Sequence, residues 1–408
     1  MDAEPRPMLA DDHNDRVDVW DVAVIGAGPA GATAAMRLAA DGFSVALLDR
    51  HAFPRDKTCG DALIPDSLGC LRRLGLLDRV RALAGSYHGL TAYSPARLDI
   101  PLTGEFITLR RRVFDELLVN EAIARGARFV QAHVAALEQQ PDGTVHLRWG
   151  GDGDDGVTLR ARVALIATGA DTQLLDRAGM LERAEPSAFA MRCYVRSDLG
   201  LDRLVVAFDK PILPGYAWIF PMPNGEYNVG CGVFGGSSRV REVGLKAIFE
   251  TFMSEFPLAR ELMRSGERIS PLKGARLRCG LTGARPYRAP GILAIGEAIG
   301  TTFPFTGEGI GKAMETAEAA ADVVADALRT GDLRALAAYP ERLRALRPRY
   351  TGYELAERWT RSAFLSNLLA RRVRSSPKLL AAASGVLNET VDPAEIFSPR
   401  TLLSFAWS

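Results

Sequence analysis

Cysteine is scarce in this 408-residue chain: Cys59, Cys70, Cys193, Cys231 and Cys279, five in all. Their spacing matches no metal-ligand pattern. An odd, sparse count suits a reducing cytoplasm better than a disulfide framework. Long hydrophobic runs are also absent. No stretch of about 18 apolar residues occurs, so no membrane-spanning helix is expected. Neither sign of charge dominates, since 50 Lys and Arg against 49 Asp and Glu leave a net charge of +1. Nothing global therefore pulls the chain toward nucleic acid, and none is expected as a partner. Residues 1–16 lack the basic and apolar regions of a secretory signal, and 1–17 read as a disordered leader. No internal repeat or low-complexity segment is visible. With 47% hydrophobic and 24% charged residues, the composition is that of an ordinary soluble protein of two or three domains.

What is present begins at Asp21. Asp21 to Ile25 is a short apolar run, followed by Gly26-Ala27-Gly28-Pro29-Ala30-Gly31. Ala32 to Ala40 has helical character, and Phe43 to Leu48 is a second apolar run ending in Asp49. This is a strand–helix–strand unit with its acid 18 positions after Gly31. Gly26 permits the tight turn, Gly28 permits backbone approach to a pyrophosphate, and Gly31 permits close helix–strand packing. A pyrophosphate then sits at the positive helix end, and Asp49 accepts from ribose hydroxyls. The competing reading is a glycine turn in an ordinary α/β domain.

Further strands of one parallel sheet are expected at Phe129, Val163 and Ile292, beside those at Asp21 and Val45. Val134–Leu137, Val145–Trp149 and Val157–Arg162 read as a β-meander with turns at Pro141–Gly143 and Gly150–Gly156. Phe189 to Val233 is rich in alternating β pattern and aromatics. Leu245–Met263 and Gly307–Leu328 read as helices, and the chain from Leu333 as helical with breaks at Pro340, Pro348, Pro377 and Pro393. The dinucleotide domain is thus expected to be discontinuous, with a β-rich domain inserted.

Two further constellations belong with the glycine turn. Arg111 precedes Phe114-Asp115 at a helix start. It either pairs with a phosphate or ribose of the cofactor or is one of three surface arginines, Arg110 to Arg112. Gly296-Glu297 ends a buried strand, and Phe303-Pro304-Phe305-Thr306-Gly307-Glu308-Gly309-Ile310-Gly311 opens a helix. The acid suits a ribitol or ribose hydroxyl. The helix end suits the negative edge of a reduced flavin.

With these motifs in order, the chain resembles the geranylgeranyl reductase family, within the flavoprotein group of p-hydroxybenzoate hydroxylase. The resemblance runs from about Asp21 to Leu328. It rests on GAGPAG with Asp49, the segment Pro54 to Asp61 (PxxKxCG), Arg111 to Asp115 (RxxFD), Tyr216 to Pro221 (YxWxFP) and the PxxGEGI loop at Pro304. It implies an α/β fold: a Rossmann-like FAD-binding domain (18–75, 106–186 and 285–330), an inserted β-rich substrate domain (76–105 and 187–284) and a C-terminal helical region (331–408). It implies FAD contacts at Gly26, Gly28, Pro29, Ala30, Gly31, Asp49, Arg50, Lys57, Cys59, Gly60, Asp61, Arg111, Gly169, Glu297, Pro304, Gly307, Gly309 and Ile310. Cys59 and Gly60 lie at the flavin face by the same resemblance. Tyr216, Trp218, Phe220 and Phe303 lie against the substrate. Two departures stand out. Glu297 replaces the usual aspartate, and Thr168 replaces the acid of an Asp-Gly pair associated with FAD and NADPH. The electron donor is therefore either NADPH or a protein.

The implied chemistry is hydride transfer to carbon–carbon double bonds of a prenyl or other lipid-like substrate, with a proton supplied to the second carbon. Cys59 is the candidate beside the flavin; otherwise it is a buried packing thiol. Tyr216, Trp218 and Phe220 alternate, so an extended segment puts them on one face. That face is a substrate wall or part of an ordinary core. Two other functions compete. One is an FAD monooxygenase or halogenase acting on an aromatic or polyketide metabolite. The other is a flavoprotein without redox turnover. Between Pro340 and Leu380, ten basic residues face three acids. They are either solvated outer faces of packed helices or a peripheral membrane contact.

Overall fold

The structure, a computed structural model, describes residues 19–149, 157–235 and 244–397. The expected leader 1–17 and the turn at 150–156 lie outside the described residues.

Among the described residues two sheets form. The first holds the five expected parallel strands in the order Ile292–Ala294, Val157–Ile166, Trp20–Ile25, Val45–Asp49 and Arg128–Gln131. Four of them carry continuous apolar runs because helices cover the sheet, while the edge strand Arg128–Gln131 is polar at both ends. The helices Pro29–Ala40 and Ile310–Thr330 share its core cluster, and their many alanines let them pack closely. The meander is present as Ala136–Gln139, Val145–Trp149 and Val157–Ile166, each antiparallel to the next. Val157–Arg162 and Val163–Ala167, read as two strands, are one: Val157–Ile166 pairs antiparallel with Val145–Trp149 along one edge and parallel with Trp20–Ile25 on the other.

The second sheet runs in the order Gly266–Arg268, Ala188–Ser197, Glu226–Phe234, Gly215–Met222, Leu204–Ala207, Gly85–Tyr93, Asp99–Thr108 and Ala62–Leu63, with Lys273–Leu277 also on Ala188–Ser197. One face packs on the helices Leu245–Glu255 and Pro257–Ser265 through Cys193, Ala217, Ile219 and Val229. These two helices replace the single helix expected at Leu245–Met263. Phe256 precedes Pro257 and is extended, because the proline ring disfavours helical backbone before it. The other face carries Leu90, Leu102, Phe106, Leu204, Trp218 and Phe220.

The C-terminal region is helical: Tyr339–Thr360, Ala363–Ser375, Pro377–Leu387 and Pro393–Phe397. Pro348 does not break its helix as expected. The flanking Leu343, Tyr350 and Tyr353 are buried, and that packing outweighs the lost backbone bond. Pro340, Pro377 and Pro393 stand in first turns, where no N–H is needed.

Gly31 shows how tightly the first unit is built. A Cβ there would lie 1.8 Å from the Gly26 carbonyl oxygen. Gly31→Ala is therefore expected to destabilise the apoprotein by about 1–3 kcal/mol, the usual range for overpacking. Thermal unfolding of the FAD-free variant checks this.

Candidate active site

A cavity of about 600 Å³ opens where the two sheets meet. Its first half is built from strand ends of the parallel sheet. Gly26 has φ +104°, and a Cβ there would lie 2.3 Å from the Ala167 carbonyl oxygen. Gly28 caps the helix Pro29–Ala40 without any side-chain hydrogen bond. A Cβ at Gly28 would meet only the Arg55 guanidinium, at 3.6 Å, so the space before it is open. The helix Ile310–Thr330 also starts uncapped, at Gly309. Two helix ends with unsatisfied N–H groups thus face one cavity, as an anionic dinucleotide requires. Gly169 and Glu297 meet across the ends of adjacent strands. Glu297 Oε1 accepts from the Arg278 N–H at 3.3 Å. Thr168 closes the neighbouring turn by donating its hydroxyl to the Asp171 carbonyl at 2.8 Å.

Of the residues expected at the site, Gly26, Gly28, Pro29, Ala30, Asp49, Arg50, Lys57, Cys59, Gly60, Asp61, Arg111, Gly169, Glu297, Gly307, Gly309, Ile310, Tyr216, Trp218 and Phe220 all border the cavity. Gly31 does not, because it serves helix–strand packing. Pro304 and Phe303 do not either. Phe303 is fully buried, stacked on Tyr353 at 4.1 Å between ring centroids and edge-on to Tyr350. Its place against the cavity is taken by Phe305, stacked on Phe208 at 5.6 Å. A two-residue shift moved the expected aromatic from a helical core to the wall.

Several charges have different partners from those expected. Asp49 uses both oxygens on backbone: Oδ2 accepts from the Ala27 N–H and Oδ1 from the His51 N–H, each at 2.9 Å. Arg111 is buried, so the surface reading fails. Its fork is taken by Asp115, with Nε to Oδ1 at 2.6 Å and Nη2 to Oδ2 at 2.8 Å. That carboxylate holds the guanidinium in place, and Arg111 still borders the cavity. Arg55 joins the same group, 3.1 Å from Asp115 and 3.9 Å from Asp49. Arg55 lay within the Pro54–Asp61 segment and was not singled out. Its position beside Gly28 carries its importance, and spacing along the chain does not reveal that.

Cys59 is held from behind. Asn228 is buried on the strand Glu226–Phe234. Its Nδ2 donates to the Cys59 carbonyl and to Asp61 Oδ2, both at 2.8 Å, and its Oδ1 accepts from the Trp218 indole N–H at 2.9 Å. An indole only donates and a carbonyl only accepts, so one amide orientation satisfies all three. Asp61 borders the cavity but gives its carboxylate to the protein. It accepts from Tyr194 at 2.5 Å, from Asn228, and from the Arg111 N–H at 3.2 Å. Burial raises the Asp61 carboxyl despite these bonds. Burial also raises the Cys59 thiol, against the pull of the nearby Arg111 cation, so Cys59 is kept protonated.

The cavity's second half is apolar. Tyr216, Trp218 and Phe220 form one face of the strand Gly215–Met222, with successive ring centroids 6.0 and 6.2 Å apart. Trp218 lies across Gly230, where a Cβ would come within 2.3 Å of the indole. Beyond it stand Leu90, Leu102, Phe106, Val206, Leu369 and Val373.

Residues 19–193 match the model of an FAD-binding domain family. Over 329 residues the chain is 30% identical to a menaquinone reductase of Mycolicibacterium smegmatis, spanning 74% of this chain and 76% of that one. Over 323 residues it is 30% identical to a digeranylgeranylglycerophospholipid reductase of Methanopyrus kandleri, spanning 78% and 79%. The chain belongs to the geranylgeranyl reductase family of FAD-dependent oxidoreductases. Its fold is shared with a geranylgeranyl bacteriochlorophyll reductase-like protein of Thermoplasma acidophilum, with TM-score 0.73, 21% identity and coverage of 95% and 96%. A flavin-dependent brominase has the same fold, with TM-score 0.74, 18% identity and coverage of 95% and 97%. FAD is the cofactor, and the glycine cradle with its two uncapped helix ends fits it.

Asn228→Ala is expected to leave the Trp218 N–H and the Cys59 carbonyl without their partners, while Asp61 Oδ2 keeps its bond from Tyr194. Each buried unsatisfied group costs about 1–3 kcal/mol. Denaturant unfolding of the holoprotein, with the visible spectrum of bound FAD as a second probe, checks both the loss and the shift of the flavin environment.

Proposed function

We propose that this oxidoreductase reduces carbon–carbon double bonds of a prenyl or other lipid-like apolar substrate. The observation that carries this reading is the second half of the cavity: an aromatic wall continued by aliphatic side chains, contiguous with the FAD cradle. Bound FAD, once reduced, supplies hydride. Trp218 and Phe220 hold an extended chain by contact area rather than by hydrogen bonds. An isolated alkene accepts hydride poorly unless a proton reaches its other carbon. Cys59, kept as a neutral thiol in the KTCG turn, is the group we assign to deliver it. The named activities of the two relatives, on menaquinone and on a geranylgeranyl lipid, support the same substrate class.

The decisive experiment is anaerobic photoreduction of the purified flavoprotein, followed by mixing with a menaquinone or a geranylgeranyl lipid. Reoxidation of the flavin with loss of a double bond is expected. In Cys59→Ala the FAD content should hold while turnover falls on the order of 10²-fold or more. Full turnover in that variant removes Cys59 from the chemistry. Dioxygen uptake coupled to an aromatic product would favour a monooxygenase or halogenase instead.

We also assign the outer face of the helix Ala363–Ser375 to a lipid surface. Phe364 is 75% exposed and Leu368 42% exposed there, while Ser366, Leu369, Ala370 and Val373 line the cavity from the inner face. At least six of the ten basic residues in this region are ion-paired within the protein, among them Arg342, Arg347, Arg349 and Arg374. The contact is therefore expected to be mostly apolar. Vesicles of anionic and neutral lipid should both sediment the protein, and Phe364→Asp should release it. No sedimentation with either would remove the contact.

A further inference from the structure

Four acidic side chains crowd one lysine behind the PxxGEGI loop, and neither Cys59 nor the cradle accounts for them. Asp66 lies in the helix Pro65–Arg73, Lys312 and Glu315 in the first two turns of Ile310–Thr330, Glu389 after Pro377–Leu387, and Glu308 in the loop itself. Lys312 Nζ is 2.7 Å from Glu389, 2.9 Å from Glu315 and 3.5 Å from Asp66. Asp66, Glu308 and Glu389 each bring an oxygen within 4.8 Å of the others. That spacing would suit a divalent cation, but the Lys312 ammonium already stands among them as the cation. Beneath it lies the Phe303 ring, 5.0 Å from Nζ to the centroid.

Glu308 differs from the rest. Both its oxygens are sealed from solvent and have no hydrogen-bond donor, yet the residue borders the cavity. Glu389 and Glu315 reach the surface, where Arg349 stands 3.5 Å from Glu315 and 3.9 Å from Glu389. So the cluster runs from solvent to the cavity wall. Several carboxylates cannot all ionise around one buried ammonium. The one without donors keeps its proton. Burial first, then the adjacent Asp66 carboxylate, hold the Glu308 carboxyl well above the usual range, against Lys312. The phenols of Tyr350 and Tyr353 complete the surroundings, and the Tyr216 phenol is near enough to feel both Cys59 and Glu308.

We propose that Glu308 is the proton relay of this cavity, storing one proton at its carboxyl and being recharged from solvent through Glu389 and Asp66. The proposal rests on the reduction reading above. One alkene carbon gains hydride from the reduced cofactor, its neighbour gains a proton, and the π bond is lost. The cofactor gives up the two electrons. Cys59 is left as a thiolate. The Glu308 O–H bond then breaks, and its proton passes through cavity water to that sulfur. The Glu308 carboxylate regains a proton from Glu389, which takes one from solvent. Glu308 is thus a positioning and relay residue rather than one that touches the alkene.

The test pairs two readouts on the holoenzyme. Infrared difference spectra between wild type and Glu308→Gln, in H₂O and D₂O at neutral pH, should contain a protonated carboxyl band that the variant lacks. With excess dithionite as reductant, steady-state reduction of a geranylgeranyl lipid by Glu308→Gln should slow on the order of 10²-fold, while its first turnover, which spends the proton already on Cys59, should keep the wild-type rate. The wild-type rate should fall as pH rises through the Glu308 titration, and the variant should lose that dependence. Linkage gives the same sign for stability. A carboxyl raised in the folded state contributes fully below its unfolded value, and that stability is lost as pH rises through its folded value. Absence of the carboxyl band overturns the relay, and so does an unchanged steady-state rate and pH profile in the variant. If photoreduced wild type is not reoxidised at all, the reduction reading fails, and the infrared band alone decides whether Glu308 stores the proton.

Discussion

The Asp61 carboxylate joins the two halves of this protein. It stands just before Ala62–Leu63, the edge strand of the second sheet, and it accepts from Tyr194, from Asn228 and from Arg111 at the start of the helix Arg111–Ala124. Tyr194 and Asn228 belong to two paired strands of the second sheet. The KTCG turn therefore cannot move relative to the aromatic wall without unpairing a buried acid. Breaking such a group costs more than forming it gains, so the bond acts mainly as a constraint. It fixes where Cys59 stands relative to Trp218, a separation on which the proposed hydride chemistry would depend.

Around this constraint the cavity divides by dielectric character. At the cradle, Arg55 and Arg111 are matched by Asp49 and Asp115, so the positive potential offered to a pyrophosphate comes mostly from backbone N–H groups and helix ends. Backbone donors carry little desolvation cost and do not reorient. In the apolar half, charged side chains are replaced by rings and aliphatic groups. On the function proposed above, an extended hydrocarbon would gain there by contact area.

Much of this was legible in the sequence because it is periodic or local. Four of the five parallel strands show as continuous apolar runs, and the glycines of GAGPAG imply their own backbone contacts. The aromatic face from Tyr216 to Phe220 followed from alternation alone. The less legible parts depend on neighbours distant in the chain. Asn228 carries no motif, since its meaning lies in meeting Cys59 and Trp218 across two elements. Phe303 and Phe305 look alike in sequence, and only the packing of Tyr350 and Tyr353 decides which one is core. Pro348 reads as a break because propensity is local, while the buried tyrosines that keep its helix are tertiary. Thr168 and Glu297 were visible as departures, yet their effect is set by Asp171 and Arg278, which spacing does not bring forward.

The same fold serves reductases and a brominase, so the architecture cannot choose the chemistry. The choice falls to which groups face the cavity near the transferred hydride. A reaction that adds hydride to an unactivated alkene needs an acid that stays protonated at neutral pH and is shielded from water. Burial provides both properties together, because it disfavours charge and excludes solvent. Cys59 and Glu308 are both raised by burial, on separate walls of one cavity. A carboxylate exposed to water would ionise, and a thiol stripped of its Asn228-held turn would lose its position. On the function proposed above, the apolar packing that would accommodate a lipid-like substrate also keeps the protons on these two groups.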